Sequence, residues 1–390
     1  MNVPIVRTNL TEEEMQSVLE PLRSGWLVQG PQVKSFEEKW SSFTGAPHSL
    51  AVTSCTTGMH LAVATLGLGP GDEVIVPALT WISTANVIEH QGATPIFCDV
   101  DIETFNIDVA QIEALITERT VGILPVHLFG LAADMDSILT IAHRHSLWVV
   151  EDAACGFGAT YKGRHVGCFG NAGAFSFHPR KAITTGEGGM VTAADVELAT
   201  KIQQLRDHGA VMSDLQRHLG PKPYLLADHI HAGYNQRMTD MQGALGNMQM
   251  NRAAAIVEER RQIASEFQEA FLDLHWLRTP RVADGYGHGY QSYPCLFWPE
   301  AAADPAQVDT VNALRNSWME TLQGAGVSTR PATHAVHMLS FYAKKYDLRP
   351  EDFPNARAAN DCSISLPLFH GMTEAERAHV IDTVRAAAPL

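Results

Sequence analysis

Short apolar runs rich in β-branched residues alternate with helix-like segments between about residues 48 and 195. The runs read SLAVTS, DEVIVPA, TPIFCDV, VGILPVHLF, LWVVEDAA, GAFSF and GGMVTA, and helical patterns at 58–66, 84–90 and 135–145 lie between several of them. Nearly continuous apolar strands separated by helices are typical of a mainly parallel sheet that is covered on both faces. The pattern predicts an α/β domain whose ligands gather at the carboxyl ends of the strands.

The segments on either side of this region predict how the chain is organised. Residues 11–22, opened by T-E-E-E, predict a helix in an N-terminal arm. Residues 238–272 carry one long helical pattern without proline, which predicts a continuous spine leading out of the first domain. The strand-like SYPCLFW and helical patterns at 311–323 and 373–386 follow. We therefore expect a large domain over residues 1–250 and a smaller α+β domain over residues 251–390.

Composition narrows the class of protein. The 390 residues include 43 acidic and 28 basic side chains, a formal net charge of −15, with no block of lysine or arginine. This argues against a nucleic-acid partner, because binding to phosphate backbones needs a basic surface. No secretion signal and no apolar run long enough to span a bilayer is evident, so we expect a cytoplasmic protein without membrane contact.

Cysteine and histidine spacing predicts neither disulfides nor a metal site. The six cysteines are scattered without a C-x-x-C pair, which fits reduced thiols that pack individually. His143 with His145, and His229 with His231, could chelate a metal, but no carboxylate or thiol completes either set.

Three features at strand ends could carry chemistry. Residues 51–58 (AVTSCTTG) close a strand and open a helix, which suits a phosphate or an ordinary N-cap. Asp152 directly follows the strand LWVV and could hold a protonated ring nitrogen or act as a loop acid. Lys181 could be a desolvated nucleophile or a solvated surface charge. Together they match the needs of pyridoxal 5′-phosphate, which has a phosphate, a pyridine nitrogen and an aldehyde.

Several co-linear motifs closely resemble the DegT/DnrJ family of pyridoxal-phosphate-dependent sugar aminotransferases. They are SCTTGMH at 54–60, PALTWISTAN at 77–86, EDAA at 151–154, FSFHPRK at 175–181, TGEGGM at 185–190, LRDHG at 205–209, GYNQRMTDMQ at 233–242 and LPLF at 366–369. The resemblance runs from about Gly25 to the last helix. It implies the fold of the aspartate aminotransferase superfamily (fold type I): a large domain with a mainly parallel seven-stranded sheet covered by helices, and a smaller C-terminal α+β domain.

The resemblance also implies roles for single residues. Lys181 matches the lysine that forms a Schiff base with the cofactor, Asp152 the partner of its pyridine nitrogen, and Trp81 the aromatic residue that stacks on its ring. The phosphate-contacting positions correspond to Thr56, Thr57, Ser176 and, from the neighbouring subunit, Asn235. Cys155 stands where the family usually has Gln or His beside the cofactor's phenolic oxygen. A thiol is a poor hydrogen-bond donor, so either another group or water contacts that oxygen or the Schiff base is tuned differently.

Candidate substrate contacts follow from motif position. They are Trp26, His178, Arg237, Arg330, His334 and His337. Arg237 and Arg330 could instead pair with surface carboxylates, and His334 and His337 could simply pack within their loop.

The implied reaction is the transfer of an amino group, by a ping-pong mechanism, from L-glutamate to the ketone of a nucleotide-linked sugar, most simply a 4-keto-6-deoxyhexose. We expect a homodimer with shared active sites. Family relatives that are dehydratases have His in place of the lysine, so Lys181 argues against that activity. A non-nucleotide cyclitol ketone as substrate, and a cofactor-binding regulatory protein without turnover, remain as alternatives.

Overall fold

The computed structural model describes residues 1–212, 224 and 226–388. The helices are α1 (Glu12–Ser17), α2 (Leu19–Ser24), α3 (Pro31–Thr44), α4 (Cys55–Thr65), α5 (Ser83–Glu89), α6 (Val109–Ile112), α7 (Met135–Arg144), α8 (Val196–Arg206), α9 (Asp240–Gln249), α10 (Ala253–Ala270), α11 (Pro299–Ala302), α12 (Val308–Gly324), α13 (Ser340–Tyr346), α14 (Pro354–Cys362) and α15 (Glu374–Ala386). The strands are β1 (His48–Val52), β2 (Glu73–Pro77), β3 (Leu79–Thr80), β4 (Thr94–Cys98), β5 (Thr120–Ile123), β6 (Trp148–Asp152), β7 (Thr160–Tyr161), β8 (Arg164–His165), β9 (Ala172–Ser176), β10 (Gly189–Ala193), β11 (Leu277–Arg278), β12 (Tyr286–Gly287), β13 (Tyr293–Phe297), β14 (His334–Ala335) and β15 (Ser363–Leu366).

The main sheet has seven strands in the order β1-β10-β9-β6-β5-β2-β4. Neighbours from β9 to β4 are parallel, whereas β10 is antiparallel to both β1 and β9. Because β10 runs the other way between them, β1 and β9 point in the same direction as β6. The predicted α/β fold with a mainly parallel seven-stranded sheet is confirmed.

Both faces of this sheet are buried, as the apolar strands predict. In β2, Val74 and Val76 belong to one core cluster, which includes residues of α4 and α8. Ile75 belongs to a second cluster on the opposite face, with Trp40 of α3 and residues of α7. All four of these side chains are fully buried. Successive residues of β2 thus pack against helices on opposite faces of the sheet. The strand therefore shows no alternation of apolar and polar residues.

The C-terminal part contains a second, smaller sheet. Strands β11, β13 and β15 form it, and both pairs are antiparallel. Phe297 of β13 stacks on Trp318 of α12 with ring centroids 5.3 Å apart. This is the predicted smaller α+β unit. The predicted domain division at residue 250 itself stays a prediction.

The prediction of one continuous helix over residues 238–272 is wrong. Helices α9 and α10 are separated by a 3₁₀ turn at Met250–Arg252. The guanidinium of Arg252 donates to the buried carboxylate of Glu14 at 2.8 Å and to the carbonyl of Asn9 at 2.6 Å. Its backbone leaves helical geometry at φ −117° and ψ 15°. A contact with the N-terminal arm accompanies the break, and the helical pattern of the sequence does not reveal it.

The N-terminal helix predicted over residues 11–22 is also divided. It forms α1 and α2, with α1 ending at Ser17. Pro21 lies four residues after Ser17 and has no N–H to donate to the Ser17 carbonyl. The same segment confirms its predicted start, since the Thr11 side chain accepts from the Glu14 N–H in a reciprocal capping box.

Other structural predictions concern thiols, metal ions and membranes. All six cysteines are free, and only Cys155 and Cys168 are not fully buried. Within the described ranges, no group of three or more His, Cys, Asp and Glu side chains is placed to hold a metal ion. Across the same residues, no helix combines the length and apolar character needed to cross a bilayer.

Candidate active site

The carboxyl ends of three strands meet at one edge of the main sheet. Val52 at the end of β1 pairs with Gly189, which pairs with Ser176 at the end of β9. Asp152, at the end of β6, pairs with Ala174 of β9. Residues at the ends of these strands, or just after them, therefore lie at one edge of the sheet. The predicted cofactor residues at this edge are Thr56, Thr57, Asp152, Ser176 and Lys181.

The start of α4 offers donors to an anion. Ser54 accepts from the Thr57 N–H at 3.1 Å, and Thr57 accepts from the Ser54 N–H at 2.9 Å, a reciprocal cap. The N–H groups of Cys55 and Thr56 find no acceptor in the described chain. A Cβ on Gly189 would lie 2.4 Å from the Ser54 carbonyl carbon, so only glycine lets β10 approach this turn. The positive end of the helix and its two free amides suit a phosphate.

Asp152 is held in a fixed orientation beneath this edge. Its side chain is 2% exposed. One carboxylate oxygen accepts from the Thr84 hydroxyl at 2.7 Å, and the other accepts from the Ala154 N–H at 3.0 Å. The Thr80 hydroxyl lies 2.9 Å from that of Thr84 and can donate to it. Sequence analysis placed Thr84 inside the PALTWISTAN motif but gave it no role.

Glu151, the acid next to Asp152, stabilises the fold. It is fully buried and accepts from His127 Nε2 at 2.8 Å and from three backbone N–H groups of residues 167–170. His127 Nδ1 accepts from the Ala133 N–H at 3.1 Å, so the proton is on Nε2. Burial raises the pKa of Glu151, but the hydrogen bonds from His127 and from the loop amides outweigh it and bring the pKa below its usual value. Because adjacent strand residues point to opposite faces, Asp152 alone faces the site.

Lys181 lies in the loop after β9, and its side chain is half-buried. Its Nζ is 3.3 Å from Cys155 Sγ, so the thiol that replaces the expected Gln or His contacts the lysine amine. Gln291 binds the loop on both sides of this lysine, accepting from the Ala182 N–H at 3.1 Å and donating to the Arg180 carbonyl at 2.7 Å. Sequence analysis missed Gln291, because no local pattern reports a contact between such distant parts of the chain.

The buried thiol of Cys55 shows that Asp152 and Lys181 are close. Its Sγ donates to the Ala174 carbonyl at 3.3 Å and lies 3.9 Å from a carboxylate oxygen of Asp152. Burial raises the pKa of Cys55 most, the charge of Asp152 raises it further, and the charge of Lys181 lowers it. The buried thiol thus lies beside the carboxylate of Asp152 and within the electric field of the Lys181 amine.

Trp81 presents an open aromatic face at the same edge. It follows β3, and 61% of its side chain is exposed. Strand β14 pairs with β3 in the register His334 to Thr80, and these two strands form a small sheet of their own that brings a C-terminal segment beside Trp81. The His334 ring stands edge-on to the indole with centroids 5.6 Å apart. A flat apolar ring in this position can stack on a ligand's ring.

Three of the predicted substrate residues are engaged within the chain. Arg237 forms an ion pair with Asp207, the alternative considered for it above. His337 is fully buried, and its ring lies 4.8 Å from that of Phe353. Burial lowers its pKa, and packing is the role that its position supports. The Trp26 indole N–H donates to the Gln29 carbonyl at 3.4 Å.

The remaining predicted contacts keep accessible side chains. His178 is half-buried, and its Nδ1 accepts from the Arg180 N–H at 3.2 Å. Burial lowers the pKa of His178. Asn235 is exposed on a segment whose backbone pairs with Asp207. Arg330 is exposed beside β15. Their functional roles stay predictions.

The sequence profile of the DegT/DnrJ/EryC1/StrS aminotransferase family matches residues 8–385. The chain belongs to this family. The expected resemblance is therefore confirmed over nearly the whole chain, and the protein is an aminotransferase.

Relatives of this aminotransferase match it from end to end. The spore coat polysaccharide biosynthesis protein SpsC of Bacillus subtilis is 40% identical over 374 residues, which are 96% of this chain and 94% of that protein. GDP-perosamine synthase of Caulobacter vibrioides is 37% identical, over 99% of this chain and 97% of its own. The structure of Spr1654 from Streptococcus pneumoniae in its PLP form has a TM-score of 0.90 and 28% identity, covering 100% and 99% of the two chains.

The residues of this aminotransferase fit the same cofactor. The free amides at the start of α4 suit its phosphate, the buried carboxylate of Asp152 suits a protonated ring nitrogen, and the Lys181 amine lies at the same edge. Exposed Trp81 offers a surface for the ring. The cofactor of this aminotransferase is pyridoxal 5′-phosphate.

Proposed function

We propose that this aminotransferase moves an amino group from L-glutamate to the ketone of a nucleotide-linked keto-sugar, a 4-keto-6-deoxyhexose. The observation that carries the chemistry is that Asp152 ends β6 while the Lys181 amine lies 3.3 Å from Cys155, three residues further along the chain. The sugar class is supported by the relatives: one bears the name of a GDP-linked product, and another that of polysaccharide biosynthesis.

The cofactor, when bound, supplies a conjugated ring that accepts the electron pair released at the substrate carbon. Lys181 would hold the cofactor's aldehyde carbon through Nζ. Once released by the donor, the same Nζ would act as the base that takes the proton from the donor's Cα and as the acid that returns it. With the keto-sugar the same amine moves the proton in the opposite direction. Asp152 keeps a proton on the ring nitrogen throughout, because Thr84 and Ala154 hold its carboxylate in place.

The other residues bind and orient. The start of α4, with Thr56 and Thr57, and Ser176 on β9 bind the phosphate. Trp81 covers one face of the ring and excludes water from it. Asn235 of the partner subunit completes the phosphate site, so the working unit is a homodimer. Cytoplasmic location stays a prediction.

The reaction is tested with protein loaded with pyridoxamine phosphate. UDP-, GDP- and dTDP-linked 4-keto-6-deoxyhexoses are added separately, and the absorbance of lysine-bound pyridoxal phosphate is followed. One of them should restore that absorbance, and Lys181→Ala protein should not respond. A free cyclitol ketone that reacts faster than every nucleotide-sugar would move the protein to that substrate class. Absence of any reaction with glutamate would contradict L-glutamate as the amino donor.

The lysine assignment has a separate test. Borohydride reduction followed by peptide mass spectrometry should find the cofactor attached to Lys181. An adduct on another lysine, or none on fully loaded protein, would refute the assignment.

A further inference from the structure

Two arginines near the candidate site have no partner for their side chains. Arg180 directly precedes Lys181, and Arg330 lies beside β15, where its carbonyl accepts from the Ser365 N–H at 2.7 Å. Both side chains are exposed. Within the part of the chain that the structure describes, neither guanidinium donates to a carboxylate or a carbonyl. The guanidinium groups of Arg180 and Arg330 are therefore available to a ligand beside the site.

Arginines elsewhere in the chain are mostly engaged. Those paired with carboxylates include Arg7 with Glu376, Arg119 with Glu73, Arg206 with Glu37, Arg237 with Asp207 and Arg252 with Glu14. Arg260 and Arg261 donate to backbone carbonyls instead. In a chain with 43 acidic side chains and a net charge of −15, two arginines without a side-chain partner among the described residues are available to an anion from outside.

The fold brings these two arginines together from distant positions. Gln291 donates to the Arg180 carbonyl, and two residues later Tyr293 pairs with Leu366 in the small sheet. Leu366 follows Ser365, the backbone partner of Arg330. Strands β13 and β15 thus link the backbone near Arg180 to the backbone of Arg330 by a short path across the small sheet.

The electrostatics agree with this path. Burial lowers the pKa of the Arg330 guanidinium most, and the positive charge of Arg180 lowers it further. Like charges destabilise each other, and an anion shared by the two guanidinium groups would remove that repulsion. A guanidinium fork also matches the oxygens of a phosphoryl group in pairs, which a lysine cannot do.

We propose that Arg180 and Arg330 together bind the diphosphate of the nucleotide-linked sugar. The inference rests on the proposed function and extends it to the group that the site recognises. The sugar's ketone must reach Lys181, while the diphosphate is attached at the opposite side of the sugar ring. A diphosphate has two phosphoryl groups, so each guanidinium can bind two oxygens of one phosphoryl group. Each carboxylate of glutamate carries only a single charge. The cofactor's own phosphate already has donors at the start of α4.

The test measures nucleotide binding rather than turnover. UDP, GDP and dTDP are titrated by calorimetry into cofactor-loaded wild type, Arg180→Gln, Arg330→Gln and the double variant. Each single change should weaken the best-bound nucleotide about tenfold, and the double change roughly a hundredfold, because charge-assisted hydrogen bonds are lost. Melting temperatures should stay unchanged, since neither side chain bonds within the described chain. Arg349→Gln is the matched control: this arginine is exposed and pairs only with Asp352, so binding should stay within about twofold.

The half-reaction with glutamate separates the possible anions. Its rate, read from the absorbance of lysine-bound cofactor, should be the same in all variants. An equal loss in this half-reaction would assign the arginines to the donor's carboxylates, and a loss of bound cofactor would assign them to the cofactor's phosphate. Unchanged nucleotide affinity in the double variant would refute the diphosphate site but would leave the proposed function standing. Wild type that accepts glutamate but binds none of the three nucleotides would instead refute the nucleotide part of the proposed function.

Discussion

Gln291 holds the backbone on both sides of Lys181. Its side-chain oxygen accepts from the Ala182 N–H at 3.1 Å, and its amide donates to the Arg180 carbonyl at 2.7 Å. Gln291 is itself fixed, because the buried guanidinium of Arg260 donates to its backbone carbonyl at 2.9 Å. The lysine loop is therefore tied to the C-terminal half of the chain at the two residues that flank the reacting amine.

Gln291→Ala should lower both kcat and stability, because its side chain holds the loop that carries Lys181. Loss of both side-chain hydrogen bonds costs about 1–3 kcal/mol of folding free energy. A displaced Nζ should reduce kcat about tenfold to a hundredfold, because reacting groups tolerate little misplacement. Steady-state kinetics and thermal unfolding measure the two effects. Gln16→Ala is the control, since that exposed amide bonds only to Glu12 of its own helix. A lower melting temperature with unchanged kcat would show that Gln291 supports only the fold.

Thr84→Val should weaken the site through Asp152. It removes a 2.7 Å hydrogen bond to a buried carboxylate, and bonds of this kind are worth about 1.5–3 kcal/mol. We expect weaker cofactor binding and a lower kcat, measured by cofactor titration of the apoprotein and by kinetics. Thr84→Ser keeps the hydroxyl and should restore both properties. If Thr84→Val keeps both properties as well as Thr84→Ser does, the hydroxyl bond to Asp152 contributes nothing to the site.

The fold could be predicted because its strands are buried on both faces and so appear as apolar runs. The positions of the cofactor candidates at the sheet edge could be predicted because each ends or follows a strand, as Asp152 and Lys181 do. Contacts between distant segments could not. Gln291 directly precedes the strand-like run SYPCLFW, and no local pattern shows that it reaches the lysine loop. The break at Arg252 accompanies its contact with Glu14. Arg237 illustrates the same limit, since only the fold shows that Asp207 is its partner.

Cys155 should react with iodoacetamide before the other thiols. Burial raises the pKa of those other thiols: Cys55, Cys98, Cys168, Cys295 and Cys362. Thiolates react and thiols do not, so labelling of these five should be slow. Because Cys155 Sγ lies 3.3 Å from Lys181 Nζ, cofactor bound at that amine should protect it. Peptide mass spectrometry with and without cofactor measures this. Half-buried Cys168 is the internal control, and equal labelling of Cys155 in both states would contradict its placement beside the cofactor.

Glu151→Gln should destabilise the protein in a pH-dependent way. The folded pKa of Glu151 lies below its usual value of 4.5, so its carboxylate stabilises the fold fully above about pH 4.5. That stabilisation is lost as the pH falls through the folded pKa. We expect the variant to lose about 1–3 kcal/mol at pH 7 and less at pH 4, measured by urea unfolding. Glu113→Gln, an exposed acid beside Arg144, should have little effect at either pH. A variant deficit that grows on acidification would contradict the sign.

The last prediction concerns whether two subunits share each site. Asn235 is exposed, and its neighbours fix the backbone: Tyr234 N–H donates to the Leu205 carbonyl at 2.6 Å, and Gln236 N–H to that of Arg206 at 2.9 Å. A polar side chain on a fixed, exposed segment suits contact with another subunit. The simpler alternative is a turn residue before α9. Asn235→Asp should abolish activity if the residue faces a phosphate, because it sets a carboxylate against that anion.

Mixing two inactive chains distinguishes these cases. In a Lys181→Ala with Asn235→Asp heterodimer, shared sites place both lesions in one site and leave the other site intact. Equal mixing of re-associated chains should then restore about a quarter of wild-type activity, since half the dimers are mixed and each has one working site. If each site uses its own Asn235, both sites of the mixed dimer carry a lesion and no activity returns. Verified heterodimers without activity, from an Asn235→Asp chain that is folded but inactive alone, would therefore refute the shared site.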